Sequence, residues 1–346
     1  MLPGTPEYYS LAVTFRCNSR CATCGIWNTS PEPELRTDQW RSFFQDALVR
    51  KARSIEFTGG EPTLREDFPK LIEYAYESCP KATVRVGTNG IHSEKVIELA
   101  ETFKHEGIYF ALSIDGVGEL HDRIRGIPNN FNSIMVILNH IRELQEEGYQ
   151  VGAGASICVS KLNLDRIPEL TRFLEEKHIE YQLTPYLATR YGQWEHSRVS
   201  RENLDFITRD ERAKAAALFS KYQHQKTTYQ RFIKFWNGEE WEKPPCYVLT
   251  RGAVSVRPNG DIPLCMQRDR EVIVGNICEQ PFSAIWYGER AKRLRQQYKN
   301  CKACYHPNMC DLLNNYAFHG WAYRDTILQQ PSLSSLVKKT VEVLLR

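Results

Sequence analysis

Short apolar stretches alternate with amphipathic stretches from residue 8 to about residue 187. The apolar stretches are rich in Val, Ile, Phe and Tyr and have the length of buried strands. Six strands are predicted, at 8–15, 53–58, 82–88, 108–114, 150–159 and 180–185. The helical spacing of apolar residues between them predicts helices at 38–50, 67–78, 94–104, 132–147 and 165–176, with Thr37 and Ser93 as N-caps.

Six strand–helix units in succession predict an α/β fold with parallel strands, either an open barrel or a doubly wound sheet. In both architectures functional residues gather at the C-terminal ends of the strands. Turn residues mark any strand end, but four ends in succession carry unusual loops, and one of these is rich in cysteine. The loops are residues 17–24, 59–62, 88–90 and 113–116, and the sixth strand brings residues 181–185 to the same rim. This pattern favours a functional site there.

The pattern changes after residue 187. Two helices, at 201–224 and 227–237, are predicted to bridge two domains, and the aromatic residues of the second are assigned to the core. A hairpin is then predicted from 253–257 and 262–265, because Asn-Gly lies between them. A helix follows at 281–297. One apolar helical face within 331–346 is expected to dock on the body rather than touch a membrane surface.

Composition narrows the class of protein. The chain has 346 residues, 42% hydrophobic and 25% charged, which is typical of a soluble protein with one large domain or a barrel plus a smaller domain. A net charge of +3 is too small to indicate nucleic-acid binding. We expect a cytoplasmic protein, because neither a signal pattern nor an apolar run of membrane-spanning length is present.

The eleven cysteines are the main chemical signal. In a reducing cytosol, clustered cysteines indicate metal or cluster ligands rather than disulfides. Eight of the eleven form two groups, Cys17, Cys21 and Cys24, and Cys246, Cys265, Cys301, Cys304 and Cys310.

The first group has the spacing C-x3-C-x2-C directly after the first strand. So short a loop can fold over one face of a [4Fe–4S] cluster and bind three of its irons. The fourth iron would then be open to a substrate or cofactor. Two other interpretations are a structural zinc site closed by a fourth ligand and ordinary buried thiols.

The chain resembles the radical S-adenosylmethionine (AdoMet) superfamily over residues 8 to 320. C-x3-C-x2-C, Gly-Gly-Glu-Pro at 59–62 and Ser-x-Asp-Gly at 113–116 come in that family's order. Its C-terminal part resembles the SPASM or shorter Twitch auxiliary-cluster domains, through Cys246, Gly260-x4-Cys265, Gly275-Asn276 leading to Trp286, and Cys301-x2-Cys304-x5-Cys310. The implied architecture is a partial (βα)6 TIM-like barrel (1–190), a helical bridge (191–245), a small α+β auxiliary-cluster domain (246–320) and a C-terminal helix (321–346).

The resemblance implies that Cys17, Cys21 and Cys24 hold a [4Fe–4S] cluster and that AdoMet chelates its fourth iron. Iron–sulfur clusters reach potentials down to about −700 mV, so one electron can break the AdoMet C–S bond. The resulting 5′-deoxyadenosyl radical takes a hydrogen atom from a substrate. A flavodoxin- or ferredoxin-type reductant is the implied electron source.

The family's loop after the second strand implies roles for four residues. Gly59 and Gly60 have no side chains, so their backbone can approach the methionine amino group. Glu61 and Pro62 are expected to fix the turn.

Five further residues are expected at the same rim. Ser113 is implied to reach the ribose or methionine end of AdoMet. Arg125 either pairs with the methionine carboxylate or is a surface arginine. Asn89 and Asp115 are implied contacts of AdoMet or substrate, and Pro185 is expected to lie against adenine.

The sequence departs from the family pattern in two places. Thr23 stands where many members have an aromatic residue, so Trp27 is a candidate for the aromatic contact. Asn314 stands at a cysteine position of the full SPASM pattern, and no cysteine follows Cys310. We therefore expect one auxiliary [4Fe–4S] cluster, with zinc as the alternative. Its expected ligands are Cys246, Cys265, Cys301 and Cys304, with Cys310 as the alternate.

Three functions remain open. The first is oxidation or rearrangement of a small molecule such as a sugar or amino sugar, with the auxiliary cluster accepting an electron. The second is cross-linking or epimerisation of a ribosomal peptide, for which Cys158 is either a hydrogen-atom donor or a buried core thiol. Only about seven residues precede the first strand, so no fused leader-peptide domain is expected, which favours the first. The third, a non-catalytic iron–sulfur carrier, needs no AdoMet pocket.

Overall fold

The computed structural model describes residues 4–28, 32–185, 211–222, 227–240, 253–265 and 272–299. Seven strands in this part of the chain form one sheet with the order β6-β5-β4-β3-β2-β1-β7, and every neighbouring pair is parallel. The strands are β1 (Tyr8–Thr14), β2 (Ser54–Gly59), β3 (Thr83–Thr88), β4 (Ile108–Ser113), β5 (Val151–Val159), β6 (Glu180–Pro185) and β7 (Ala253–Val256). A second sheet pairs β8 (Asp261–Pro263) with β9 (Ile273–Asn276).

The strand order decides between the two predicted architectures. β1 to β6 lie side by side in sequence order, so the order does not reverse among these six strands. Successive crossovers of one hand then place the connecting helices on one face of the sheet. This is the arrangement of an open TIM-like barrel, whereas a doubly wound sheet has helices on both faces.

The helices alternate with the strands as the sequence predicted, with one additional helix, Glu119–Arg125, that was not predicted. Between the strands lie α1 (Thr37–Phe44), α2 (Phe68–Ser78), α3 (Ser93–Thr102), α4 (Glu119–Arg125), α5 (Asn130–Glu146) and α6 (Ile167–Glu176). After them come α7 (Arg212–Tyr222), α8 (Thr227–Trp236), α9 (Phe282–Tyr287) and α10 (Glu289–Tyr298).

The hydrophobic core lies between the outer face of the sheet and the helices. Alternate strand residues such as Leu11, Phe57 and Phe110 are fully buried there, together with Trp40 of α1 and Ile137 of α5. Because neighbouring side chains on a strand point to opposite faces, the residues between them form an inner face. On β4, β5 and β6 the inner-face residues include Ser113, Ser156, Cys158, Gln182 and Thr184.

The aromatic residues of α8 belong to the core, as predicted. Tyr229, Phe232 and Trp236 are buried. The Tyr229 hydroxyl donates to the carbonyl oxygen of Leu183 at 3.1 Å and accepts from its N–H at 3.2 Å. It therefore pairs backbone groups on the outer edge of β6 that would otherwise be open to another strand.

The predicted hairpin is wrong in its pairing. β7 joins the barrel sheet beside β1, and β8 pairs instead with β9. The Asn-Gly turn at 259–260 does form, with the Gly260 N–H bonded to the Arg257 carbonyl at 2.9 Å. The pairing of β7 with β1 is explained by burial of alternate residues of β7. Val254 and Val256 continue the hydrophobic core on the outer face of the sheet next to β1.

Several helix boundaries differ from the prediction. The N-caps are Arg36 and His92, so Thr37 and Ser93 are the first helical residues instead. The predicted helix at 38–50 ends at Phe44 and is followed by a short 3-10 turn. The predicted helix at 281–297 is two helices, because Gly288 adopts an extended conformation between them. Predictions for 186–210, Cys246, 301–310 and 331–346 fall outside the described residues.

Candidate active site

The three-cysteine loop lies at the C-terminal end of β1, on the rim where the other strands end. Cys21 is buried, and Cys17 and Cys24 are half-buried. Cys17 and Cys24 pack against a small apolar cluster that contains Phe15 and Ile26. The loop is therefore a packed part of the molecule rather than an exposed excursion.

The C-terminal end of α4 holds this loop through its backbone. The Arg20 N–H donates to the Arg125 carbonyl at 3.0 Å, and the Ala22 N–H donates to the Ile124 carbonyl at 2.8 Å. The last carbonyls of a helix have no partner within the helix, and here the cysteine loop supplies one. Gly126 ends the helix with φ +69°, and a Cβ there would lie 2.6 Å from the Arg20 carbonyl oxygen. Only glycine fits both the left-handed backbone and the close approach.

A buried ion pair lies beside the loop. Arg125 Nη1 is 3.1 Å from Asp115 Oδ2, and their side chains are 13% and 0% exposed. Burial acts to lower the pKa of Arg125, but electrostatic interactions with Cys21 and Asp115 outweigh it and raise that pKa. The guanidinium is thus a fixed positive charge next to the cysteines. Its Nε has no hydrogen-bond partner within the described structure.

Asp115 is hydrogen-bonded to several other groups of the protein. Its Oδ1 accepts from the Cys158 N–H at 2.8 Å, its N–H donates to His121 Nδ1, and its carbonyl accepts from Asn163 Nδ2 at 2.9 Å. Both carboxylate oxygens therefore already have partners. The geometry makes Asp115 the group that orients Arg125.

Two buried side chains extend this network to the neighbouring strand. Burial lowers the pKa of His121, so the imidazole is neutral at pH 7. Its Nδ1 accepts from Asp115, so its Nε2 carries the proton and donates to Asn130 Oδ1 at 3.0 Å. Asn130 Nδ2 in turn donates to the Asn89 carbonyl at 3.1 Å. These bonds join the ends of β4 and β3.

Glu61 joins the ends of β3 and β2 in the same way. Its side chain is fully buried, with Oε1 accepting from Thr88 Oγ1 at 2.8 Å and from both Thr63 donors, and Oε2 accepting from the Asn89 N–H at 2.8 Å. Pro62 begins a 3-10 turn directly after it. Glu61 therefore holds the turn in place.

Close contact with the protein's own backbone explains why both of these positions are glycine. A Cβ at Gly59 would lie 2.1 Å from the Thr14 carbonyl oxygen, and one at Gly60 would lie 2.1 Å from that of Arg16. The Gly60 and Glu61 N–H groups bond these same carbonyls at 2.7 and 2.8 Å. The glycines let the loop lie against the segment that leads into Cys17.

Asn89 reaches from this loop to the cysteines. Its Nδ2 donates to Asn18 Oδ1 at 2.8 Å and lies 3.8 Å from Cys17 Sγ. Trp27, the candidate aromatic residue, lies on the other side of the loop, where its Nε1 donates to the Cys21 carbonyl at 3.4 Å. The Arg20 guanidinium lies over the Trp27 ring, 5.2 Å from its centroid.

The two remaining predicted residues, Ser113 and Pro185, lie on opposite faces of the sheet. Ser113 ends β4 on the inner face, level with Ser156 of β5. Pro185 pairs in register with Val159, a residue of the hydrophobic core, so it lies on the outer face of the sheet. The expected place of Pro185 against adenine is therefore not supported. Thr184, its neighbour, shares the inner face with Cys158.

Sequence reasoning missed Ser19, His121, Asn130 and Asn163, all of which are buried and hydrogen-bonded at this rim. Polar residues in loops after strand ends were a usable signal. Their partners are distant in sequence, so the sequence could not identify them.

The three cysteines fit a [4Fe–4S] cluster, because cysteine thiolates are the usual ligands of its irons. In a cluster each sulfur bonds a different iron, so the three sulfurs need not converge on one point. Burial raises the pKa of Cys17 to about 11 and that of Cys24 to about 12, so both are thiols at pH 7, and binding to iron would require loss of those protons. Arg125 supplies the compensating positive charge.

Two family models match the chain. One, the radical SAM superfamily, matches residues 11–174, and the other, an iron–sulfur cluster-binding domain called SPASM, matches residues 246–305. The chain thus carries a radical SAM domain and a SPASM domain. Its cofactors are accordingly a [4Fe–4S] cluster, AdoMet and auxiliary iron–sulfur clusters. No helix among the described residues is both long and apolar enough to span a membrane.

Three curated relatives are similar to this chain. Fe-coproporphyrin III synthase of Methanosarcina barkeri is 34% identical over 48% of this chain and 40% of its own length. The sporulation killing factor maturation protein SkfB of Bacillus subtilis is 30% identical over 48% of this chain and 38% of its own. Pre-heme d1 synthase of Dinoroseobacter shibae is 23% identical over 89% of this chain and 81% of its own. The chain thus spans less than half of the first two proteins.

A solved structure supports the fold. Streptococcus suis SuiB bound to S-adenosylmethionine aligns with a TM-score of 0.63 at 16% identity, covering 85% of this chain and 68% of that one.

We predict that Asp115→Asn strongly destabilises the protein, because Arg125 then becomes an unpaired buried charge. Breaking such a pair costs about 3–5 kcal/mol. The free energy of unfolding of the iron-free protein, from urea denaturation, measures the effect. The matched control is Asp165→Asn, which breaks an exposed pair with Lys214 and should cost at most about 1 kcal/mol. Equal effects of the two variants would show that the buried pair has no special role.

We also predict that Gly126→Ala reduces cluster loading severalfold, because its Cβ would push the cysteine loop away from α4. Iron and sulfide per chain after anaerobic reconstitution measure this. Gly148→Ala is the control, since Gly148 also has a positive φ, +93°, but an added Cβ meets no atom within 4 Å. Left-handed alanine costs roughly 1–2 kcal/mol at either position. Comparable loading in both variants would refute the docking role.

Proposed function

We propose that this radical SAM enzyme reductively cleaves AdoMet and removes a hydrogen atom from a small polar molecule of the sugar or amino-sugar type, with net oxidation or rearrangement. The observation that carries the proposal is the buried Arg125–Asp115 pair beside three cysteines at the rim of the barrel. A non-catalytic carrier has no need of a charged, hydrogen-bonded rim that extends over four strand ends. Cys17, Cys21 and Cys24 would hold the AdoMet-binding cluster.

With the cluster and AdoMet bound, the site would supply one-electron cleavage to 5′-deoxyadenosine and abstraction of a substrate hydrogen atom. The chain's own residues bind and orient. Arg125 has an unpaired Nε and a positive charge, which suit the methionine carboxylate. Glu61 holds the backbone of the Gly-Gly loop, and Asn89 is fixed between that loop and Cys17.

The inner face of the barrel supports the small-molecule substrate. Near the rim, the described inner-face side chains of β4 to β6 are hydroxyl, thiol and amide groups without formal charge. They are Ser113, Ser156, Cys158, Gln182 and Thr184. Such groups hydrogen-bond to hydroxyl and amide functions of a sugar or amino sugar.

Paired side chains close the deeper part of the inner face. The Tyr8 hydroxyl donates to the Glu56 carboxylate, and the Arg85 guanidinium lies 5.1 Å from the centroid of the Tyr109 ring. Such a layer would limit how deeply a substrate could enter, which favours a small molecule or one end of a larger one. Cys158, whose N–H is held by Asp115, lies on this face beyond the paired layer.

A second candidate substrate is a ribosomal peptide. It is favoured by the similarity to the maturation protein SkfB over the barrel half of the chain. In that function Cys158 would be placed to return a hydrogen atom to the substrate.

The C-terminal half would complete the electron path. One auxiliary [4Fe–4S] cluster bound by Cys246, Cys265, Cys301 and Cys304, with Cys310 as alternate, would accept the electron left on the substrate. Cys265 is half-buried. A flavodoxin- or ferredoxin-type protein is the proposed reductant.

We predict that Cys24→Ala abolishes formation of 5′-deoxyadenosine, because one iron loses its ligand. The assay is anaerobic incubation of the reconstituted enzyme with dithionite and AdoMet, followed by chromatography. Cys278→Ser serves as control, because Cys278 is exposed and is not a proposed ligand. Wild-type product levels in Cys24→Ala would contradict the ligand assignment.

The same assay separates the two substrate classes. Both substrate classes are supplied in deuterated form. Deuterated sugars and amino sugars should transfer deuterium to 5′-deoxyadenosine, whereas deuterated peptide libraries should not. Deuterium transfer from a peptide alone would favour the second candidate.

A further inference from the structure

Ser19 lies where the cysteine loop crosses the end of α4. Its side chain is fully buried. Its Oγ is 3.0 Å from Cys21 Sγ and donates to the Arg125 carbonyl oxygen at 2.8 Å. One hydroxyl thus touches both the most buried of the three sulfurs and the residue that carries the adjacent positive charge.

A serine hydroxyl has one proton and two lone pairs, so its partners decide how it points. While Cys21 is a thiol, its S–H can donate to Ser19 Oγ, and the hydroxyl proton goes to the Arg125 carbonyl. When Cys21 binds iron, it has no proton and becomes an acceptor. The hydroxyl then has two acceptors for one proton, and the sulfur carries the negative charge.

The Arg125 carbonyl does not need the Ser19 proton. It also accepts the Arg20 N–H at 3.0 Å, so it keeps a partner when the hydroxyl turns away. The hydroxyl can therefore turn to the sulfur without leaving a buried carbonyl unpaired, which would be costly. The backbone contact between the cysteine loop and α4 makes this rotation possible.

The second polar side chain near a cysteine sulfur differs in geometry. Asn89 Nδ2 lies 3.8 Å from Cys17 Sγ but only 2.8 Å from Asn18 Oδ1, so its proton is directed mainly to the amide oxygen. Of these two contacts, the one from Ser19 is shorter and its hydroxyl is free to turn.

We propose that Ser19 is a positioning residue that raises the reduction potential of the AdoMet-binding cluster by donating a hydrogen bond to Cys21 Sγ. Hydrogen bonds to cluster sulfurs stabilise the additional negative charge of the reduced form, which raises the potential. The inference rests on the assignment of Cys21 as a ligand in the proposed function and is independent of the substrate.

The test compares Ser19→Ala with wild type by potentiometric titration followed by EPR, using the signal that changes when AdoMet is added. The expected result is a more negative midpoint with unchanged iron and sulfide per chain. The reduced-to-oxidised ratio at a fixed potential should fall up to about tenfold, which is 59 mV for a one-electron couple. Ser19→Thr keeps the hydroxyl, so its midpoint potential should lie close to that of the wild type. The control Ser220→Ala removes a hydroxyl that bonds only its own helix.

A spectroscopic measurement separates a hydrogen bond from a packing role. After exchange into D2O, the wild-type cluster should show a deuteron coupling by ENDOR that Ser19→Ala lacks. An unchanged midpoint at full loading would overturn the inference. So would lower loading in which the remaining clusters keep the wild-type midpoint. A wild-type protein without a cluster at this site would instead overturn the ligand assignment itself.

Discussion

The buried pair of Asp115 and Arg125 is the interaction on which the rim of the barrel depends. Removing two charges from water is costly unless each finds a partner, and Asp115 has a partner for both of its oxygens. The pair also fixes the end of α4, whose carbonyls hold the cysteine loop. One electrostatic constraint therefore sets both the charge beside the sulfurs and the position of the loop that carries them.

The same constraint extends around the rim through further hydrogen bonds. His121 and Asn130 carry it from Asp115 to Asn89, and Glu61 carries it from Asn89 to the Gly-Gly loop. A buried network of this kind resists rotation of its side chains, because turning Asp115, His121, Asn130 or Glu61 would break a buried hydrogen bond. The protein's own hydrogen bonds thus fix the arrangement of side chains at the rim.

The sequence predicted those features that depend on local pattern. Strand positions followed from apolar stretches, and the three-cysteine loop followed from spacing. Long-range choices could not be predicted in this way. The Asn-Gly turn at 259–260 formed, yet β7 paired with β1, because a turn signal does not say which neighbour a strand will choose. Ser19 escaped notice for a similar reason, since its partner Arg125 lies 106 positions away. The sequence identified Gly59 and Gly60 as important. In the structure, the lack of a side chain at these positions makes room for the protein's own backbone.

The most direct test of this account is the Mössbauer spectrum of the 57Fe-reconstituted protein recorded with and without AdoMet. If three cysteines hold the amino-terminal cluster and leave one iron open, AdoMet should change the signal of one iron in that cluster and leave the other three almost unchanged. A spectrum that does not respond to AdoMet, or a protein that takes up zinc at these cysteines in place of iron and sulfide, would contradict it.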